Sequence, residues 1–343
     1  MENRFTLQNI ADRCGYAKST VSMAMRNHPG IPAETREKIL RIAKEMGYRP
    51  NPLVGALMTQ LRCKSAVRTE TIALLNLAKR SSTSLEKSDR FYVQLFEGIR
   101  QEADASGLKI DEFVIDLDNP MPGLSRILLT RGIHGLLIFS GGTLDRLRSI
   151  LDLSRFAAVH AGFGEKDPIH QVVSDYIHNM DVAFRVIQQE YIKKIGFAVQ
   201  NLRDDQTNFS MSSRFLHHQR NIPVKNRIPF ITNTKPDFST EEFLEWIKKY
   251  TPEVILIAGT REYDWLKESD ISIPGDCRVI NLVYRKEPGI AGVNPQTDRV
   301  GRAAVSLLLS LLQNNQIGLP EFPQQISIQG DWVPGESFPQ SGN

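Results

Sequence analysis

Cysteine is scarce in this chain, and its hydrophobic runs are short. Only Cys14, Cys63 and Cys277 occur in 343 residues, an odd number without metal-type spacing, which argues against a disulfide framework or a zinc site and predicts reduced thiols. No apolar stretch reaches the roughly 18 residues that cross a bilayer. The N-terminal "MENRFTLQNIADR" also lacks a signal peptide's apolar segment, so a cytoplasmic protein with no membrane partner is expected. Catalytic signatures are missing: there is no Walker loop, GxSxG, HExxH or GxGxxG, and "SGG" at 140–142 reads as a strand-to-helix turn. The adjacent His217 and His218 would point to different sides of a helix and are expected on an exposed face. No enzyme activity, metal or cofactor is therefore expected.

Hydrophobic residues make up 41% of the chain, enough for one large core or two to three smaller ones. Charge is unevenly placed. Residues 1–70 hold 12 basic and 6 acidic side chains, whereas the remainder holds 30 and 33. A compact basic end on a near-neutral body points to nucleic acid, although a solvated surface could carry the same small excess.

Thr6 can cap a short helix, "LQNIADRCG", with Leu7, Ile10 and Ala11 on one face and Gly15 as the turn that follows. "AKSTVSMAMRN" then turns Val21 and Ala24 or Met25 inward and leaves Lys18, Ser19, Ser22, Met23 and Arg26 on the outer surface. In "AETREKILRIAKEMG" the residues Ile39, Ile42, Ala43 and Met46 recur at helical spacing, and Gly47 closes the helix. Two short helices joined by a glycine turn and buttressed by a third follow the helix-turn-helix plan, but an interaction domain would read the same way.

The ungapped stretch "TLQNIADRCGYAKSTVSMAMRNHPGIPAETREKILRIAKEMGYRPNP" resembles the DNA-binding headpiece of the LacI/GalR (lactose-repressor) family of bacterial transcription regulators. "STVS", "ETREKI" and "GYRPNP" stand at the family's separations. The resemblance implies a DNA-binding set of Thr6, Lys18, Ser19, Thr20, Ser22, Met23, Arg26, Asn27, Asn51 and Leu57. Lys18 and Ser19 fall where the family reads base edges, with Thr20, Ser22 and Asn27 near phosphates. Met23 departs from the arginine common there, which could bond guanine; a thioether offers apolar contact, for instance to a thymine methyl. Ala17 replaces the usual serine cap of the second helix, a loss of roughly 1 kcal/mol if nothing substitutes.

In "YRPNPLVGALMTQLR" Pro50 is a stop, Asn51 a good cap and Pro52 a first helical residue. The helix that follows is short and carries Gly55, so it should be largely unfolded alone. By resemblance it is a hinge helix that forms when two copies pair over the minor groove and Leu57 wedges between base pairs, kinking the DNA. An ordinary buried helix is the plainer alternative for "LVGALM". The basic "RCKSAVRTE" reads as a solvated connector near phosphates.

Beyond Glu70, apolar runs such as "TIALLNL", "IHGLLIFSG" and "EVILIAG" alternate with amphipathic stretches such as "TEEFLEWIKKY" and "DRVGRAAVSLLLSLLQ", an α/β pattern with parallel strands. The expected fold is an all-α helix-turn-helix headpiece (1–49), a hinge helix (50–62) and a linker (63–70), followed by a two-lobed α/β core like the periplasmic binding proteins (71–338) and a tail (339–343). Resemblance puts the chain's crossings near residues 165, 290 and 323. That assigns about 71–165 and 291–322 to one lobe and about 166–290 and 323–338 to the other.

Ligands of open α/β sheets collect beyond the carboxyl ends of the strands, which nominates Asn76, Ser140, Asp175, Asn208, Thr260 and Tyr284, with Arg214 as a substitute cation. The family commonly places an arginine, an Asn-Asp pair and an aspartate in this cleft, where the present chain has Phe209, Thr260-Arg261 and Val283-Tyr284. An unusual effector, relocated polar groups and no effector all fit this pattern. The tail lacks leucine heptads, so a homodimer is expected. The leading reading is a dimeric sequence-specific transcription regulator, a repressor of a pseudo-palindromic double-stranded operator, modulated by a small molecule such as a carbohydrate or derivative. The alternative is a small-molecule, sugar-like receptor with little specific DNA binding.

Overall fold

The computed structural model describes residues 6–25, 28, 30–46, 48, 70–77, 90–116, 119, 121–139, 144–162, 168–232, 238–284 and 288–340, without the side chains of 90 and 201–203. The expected hinge helix and nearly all of the linker, with Asn51, Leu57 and Cys63, lie outside the described residues. So do Arg26, Asn27, Ser140 and the "SGG" turn.

Three helices form the N-terminal unit: α1 Leu7–Cys14, α2 Lys18–Met25 and α3 Ala33–Glu45. Their shared core is Ile10, Ala11, Cys14, Val21, Ala24, Ile31, Ile39 and Ala43. The spacing of these residues puts one apolar stripe from each helix into the same small interior.

The remainder builds two sheets. The first has β1 Thr71–Asn76, β2 Lys109–Val114, β3 Gly135–Phe139, β4 Ala157–Gly162 and β5 His170–Ser174, joined by β10 Gln325–Ile328, in the order β10-β5-β4-β3-β1-β2 and parallel throughout. The second has β6 Ile195–Ala198, β7 Val254–Ile257, β8 Arg278–Asn281, β9 Ala291–Asn294 and β11 Asp331–Val333 in the order β11-β9-β8-β7-β6, with β11 antiparallel. Every residue of β3 and β7 is buried, which is why these strands read as unbroken apolar runs.

Helices cover both faces of each sheet. On the first, α4 Arg90–Ala105 and α12 Thr297–Gln313 cover one face, and α5 Leu124–Thr130 with α6 Leu144–Arg148 cover the other. On the second, α7 Tyr176–Gln189 and α9 Ser210–Gln219 lie opposite α10 Thr240–Tyr250 and α11 Arg261–Lys267; α8 Asn201–Gln206 follows β6. Helices α4 and α12 cross with their backbones nearly touching. A Cβ at Gly98 would meet the carbonyl of Asp298, and one at Gly301 the carbonyl of Leu95. Glycine costs about 1 kcal/mol within a helix, and here it permits an approach closed to any other residue.

The crossings between lobes differ from those expected near 165, 290 and 323. β5 still belongs to the first sheet, β9 to the second and β10 to the first, so the chain passes over at 174–176, 294–297 and 328–331. The displacement has a simple cause: "HQVVS" and "AGVN" are apolar strands that fit either sheet, and only their pairing decides. The crossings are tied to one another. Ser174 Oγ donates to the carbonyl of Pro295 at 3.0 Å, and the Asp175 N–H to that of Ile328 at 2.8 Å.

Candidate nucleic-acid interface and inter-lobe cleft

The N-terminus of α1 is closed by a reciprocal cap. The Asn9 N–H donates to Thr6 Oγ1 at 3.4 Å, and the Thr6 N–H to Asn9 Oδ1 at 2.8 Å. Thr6 is thus at least a structural residue, and its hydroxyl remains at the exposed start of the helix. Gly15, at φ 75°, ends α1 with its N–H on the Ala11 carbonyl, and α2 begins three residues later. The Ala17 carbonyl accepts the Val21 N–H at 3.0 Å, so the backbone starts α2 where a capping side chain is missing.

Along α2, Lys18 and Ser19 are exposed, whereas Thr20, Ser22 and Met23 are half-buried. Lys18 and Ser22, and Ser19 and Met23, are separated by one helical turn and share a face. Met23, expected to share the outer surface of α2, also packs partly against the headpiece core. One supporting contact was not anticipated: Lys38 of α3 stands 5.4 Å over the ring of Tyr16, in the turn before α2.

At the carboxyl ends of the strands, Asn76 is buried at the end of β1, in register with Val114 and Phe139. Asp175 is the cap of α7, its carboxylate accepting the His178 N–H at 2.9 Å. Thr260 precedes α11 without a side-chain cap bond. Half-buried Tyr284 follows β8, with its N–H on the Val293 carbonyl. These four stand at strand ends, as expected. Asn208 is instead exposed in a tight turn with Phe209, both left-handed, at φ 52° and 57°. That turn is held by the carboxyl of buried Asp204, which accepts the Ser212 N–H at 3.2 Å; burial pushes its pKa up.

Arg214 is already engaged. Its Nε and Nη2 grip Asp181 Oδ1 and Oδ2 at 2.6 and 2.8 Å, a two-point fork between α9 and α7. His218, expected on an exposed face, is half-buried, with Nε2 2.6 Å from the same Oδ1 and its ring stacked on Phe184 at 4.0 Å. Burial works to raise the Asp181 pKa, but the bonds and charges of Arg214 and His218 prevail and hold it below the ordinary carboxylate value. His218 itself is pushed below the usual imidazole value by burial.

Arg261, noted beside Thr260 in the sequence, and two asparagines not singled out there also stand at the carboxyl ends of the second sheet's strands. Arg261 lies 4.7 Å over Trp265 and 4.0 Å from Glu262, whose side chain is buried. Asn281 Oδ1 accepts the Val283 N–H at 2.9 Å, and Asn294 Oδ1 the Gln296 N–H at 3.1 Å. An asparagine ending an apolar strand was the available signal for both. Among the described residues no three His, Cys, Asp or Glu side chains are grouped to hold a metal ion. Among the same residues, no helix is long and apolar enough to cross a membrane. Cys14 and Cys277 are buried free thiols, and burial pushes the Cys277 pKa up to about 12.

Known proteins place these features together. Residues 6–51 match the bacterial regulatory proteins of the lacI family, and residues 189–338 the periplasmic binding protein-like domain. Catabolite control protein A of Staphylococcus epidermidis is 21% identical over 95% of this chain and 98% of its own. The HTH-type transcriptional regulator RegA of Clostridium saccharobutylicum is 22% identical over 92% and 95%. Among solved structures, the transcriptional regulator CelR–cellobiose complex aligns with a TM-score of 0.59 at 19% identity, covering 98% of this chain and all of that one. The lac repressor dimer bound to operator and the anti-inducer ONPF aligns at 0.57 and 16%, covering 98% and 99%. Headpiece, paired sheets and full-length relatives agree: the chain joins a lacI-family DNA-binding headpiece to a periplasmic-binding-protein-like domain, as DNA-binding regulators of transcription do.

Proposed function

We propose that the protein is a dimeric repressor that reads a pseudo-palindromic operator through α2 and the segment 50–62. The observation that carries this reading is the three-helix headpiece with Lys18 and Ser19 exposed at the start of its second helix, directly after the Gly15 turn. Lys18 and Ser19 contact base edges, while Thr20, Ser22 and Asn27 approach phosphates, with Thr6, Arg26 and Asn51 around them. Met23 gives at most a partial apolar contact, because its side chain is shared with the headpiece core. Leu57 inserts into the minor groove when two copies of residues 50–62 pair. The domain limits are 1–49 for the headpiece, 50–62 for the hinge, 63–70 for the linker and 71–338 for the core.

An effector between the lobes sets operator affinity. Asn76, Asp175, Thr260 and Tyr284 are its polar contacts, and Arg261 over Trp265 adds a cation to the same side. CelR is solved with cellobiose and the lac repressor with ONPF, so a carbohydrate or derivative is the first class to try here. Linkage requires reciprocity: an effector that weakens operator binding binds the operator complex less tightly by the same factor. Arg214 and Asn208 are not needed in this reading, since one is held by Asp181 and the other is exposed in a turn.

The test is selection of sites from a random DNA pool by the full-length protein. A palindrome with a central pyrimidine-purine step supports the regulator and its wedge. No enriched motif with or without candidate carbohydrates sinks it and moves the receptor reading ahead.

A further inference from the structure

The lobe built on the second sheet carries a concavity at the end opposite the cleft. It is a bowl of about 650 Å³ between the last turn of α7, the start of β6 and the loop after α9. Ile195 begins β6, so this bowl lies at the amino ends of the second sheet's strands, whereas the cleft lies at their carboxyl ends. The floor is apolar, made by Phe184, Ile187, Ile195 and Ile222. Lys193 and Lys225 stand on the rim, and among the described residues no carboxylate lines it. Among the described residues neither lysine ammonium has an ion-pair partner, although the Lys193 backbone N–H donates to Glu253 at 3.1 Å.

His218 forms one wall, and the structure fixes it firmly. Its ring lies flat against Phe184, 7° from parallel, and Nε2–H donates to Asp181, itself clamped by Arg214. Three residues thus hold one imidazole at the edge of a hollow with an apolar floor, whose sides carry the amides of Gln188, Asn221 and Asn226 beside the two lysines. The volume is comparable to that of small-molecule sites, about 300–1,000 Å³, with the bowl open to solvent on one side.

We infer that this bowl binds a small amphipathic monocarboxylate: an apolar chain or ring on the isoleucine floor, with its charge at the two lysines. A phosphate or sugar phosphate fits worse: among the described residues no guanidinium lines the bowl to grip it at two points, and that of nearby Arg214 is already committed to Asp181, while the amides of Gln188, Asn221 and Asn226 carry no charge. Lysines at a rim supply charge without fixed geometry, which suits a single carboxylate.

The test uses full-length protein with 13C-labelled isoleucine methyl groups, titrated with hexanoate and separately with its neutral counterpart, hexanamide. Saturating shifts confined to Ile187, Ile192, Ile195 and Ile222, and an affinity for the amide at least about tenfold weaker, are expected. The double variant Lys193→Glu/Lys225→Glu should lose hexanoate by a similar factor while its remaining methyl signals keep their positions, which reports an intact fold. Equal binding of acid and amide, no saturation, or shifts at Ile72 and Ile257 instead would overturn the proposal. So would movement of the bowl's methyls with protein concentration alone, since the occupant would then be a second copy of the chain.

Discussion

The Gly330 N–H donates to Asn179 Oδ1 at 3.1 Å, joining the third crossing to the first turn of α7. Both groups are buried, and Asn179 Nδ2 has no partner among the described residues. A Cβ at 330 would collide with Asn179 Oδ1 and with the carbonyl of Asn294, on the second crossing. Gly330→Ala should therefore cost about 1–3 kcal/mol in urea unfolding, by overpacking. Adding Asn179→Ala should recover part of that loss, because the first clash disappears. Strictly additive losses would show that the two residues do not meet in this way.

The Arg214–Asp181 fork links two helices whose side chains remain 31% and 29% exposed. Its contribution should lie between surface and buried pairs, so Arg214→Ala is expected to lower stability by about 1–2 kcal/mol. The same variant removes a support of His218, and the imidazole resonance should shift with it. A change in stability below the error of denaturant melts would place the fork among the surface pairs that contribute nothing.

His170 carries a pH dependence whose direction can be worked out. Its Nδ1 accepts the Gln324 N–H at 3.1 Å, just before β10, so the folded protein needs the neutral ring. Burial lowers its pKa from 6.5. The unfolded chain then takes up a proton first as pH falls, and stability present above 6.5 is lost progressively below it. His170→Gln should flatten that part of a melting profile measured from about pH 7.5 to about pH 5. A profile of unchanged slope would refute the assignment.

Met23 is half outward and half in the headpiece core. Met23→Arg should change the preferred base at one position of each half-site, since a guanidinium can grip guanine O6 and N7. It should also cost about 1 kcal/mol of headpiece stability through lost packing. An unaltered selected motif would remove residue 23 from the groove.

Leu57→Ala should weaken binding to the selected operator by about 10–100-fold and leave non-specific DNA nearly untouched, because a wedge contributes only where the duplex is kinked. Equal losses on both DNAs would eliminate the wedge.

What could be read in the chain depended on how local the information was. Thr240–Tyr250 was legible to the residue: Ser239 and Glu242 form a capping box at its start, and its apolar stripe repeats at the helical period. β3 and β7 were legible because burial on both faces leaves only apolar residues. β5 and β9, four or five residues long, were not assigned to the correct sheet, since membership is settled by pairing with residues far away. Arg214 was sought in the cleft for the same reason. Its partner Asp181 lies 33 positions earlier on another helix, and nothing in either segment announces their meeting.

The three crossings also bear on how the protein is made. The first sheet gains its edge strand only at Gln325–Ile328, and the second only at Asp331–Val333, after α12 has returned to the first lobe. A ribosome therefore releases the headpiece before either lobe, and both lobes stay incomplete until residues 325–333 emerge. Chains cut short before Gln325 would carry a DNA-reading unit with unfinished lobes behind it, exposed to proteolysis.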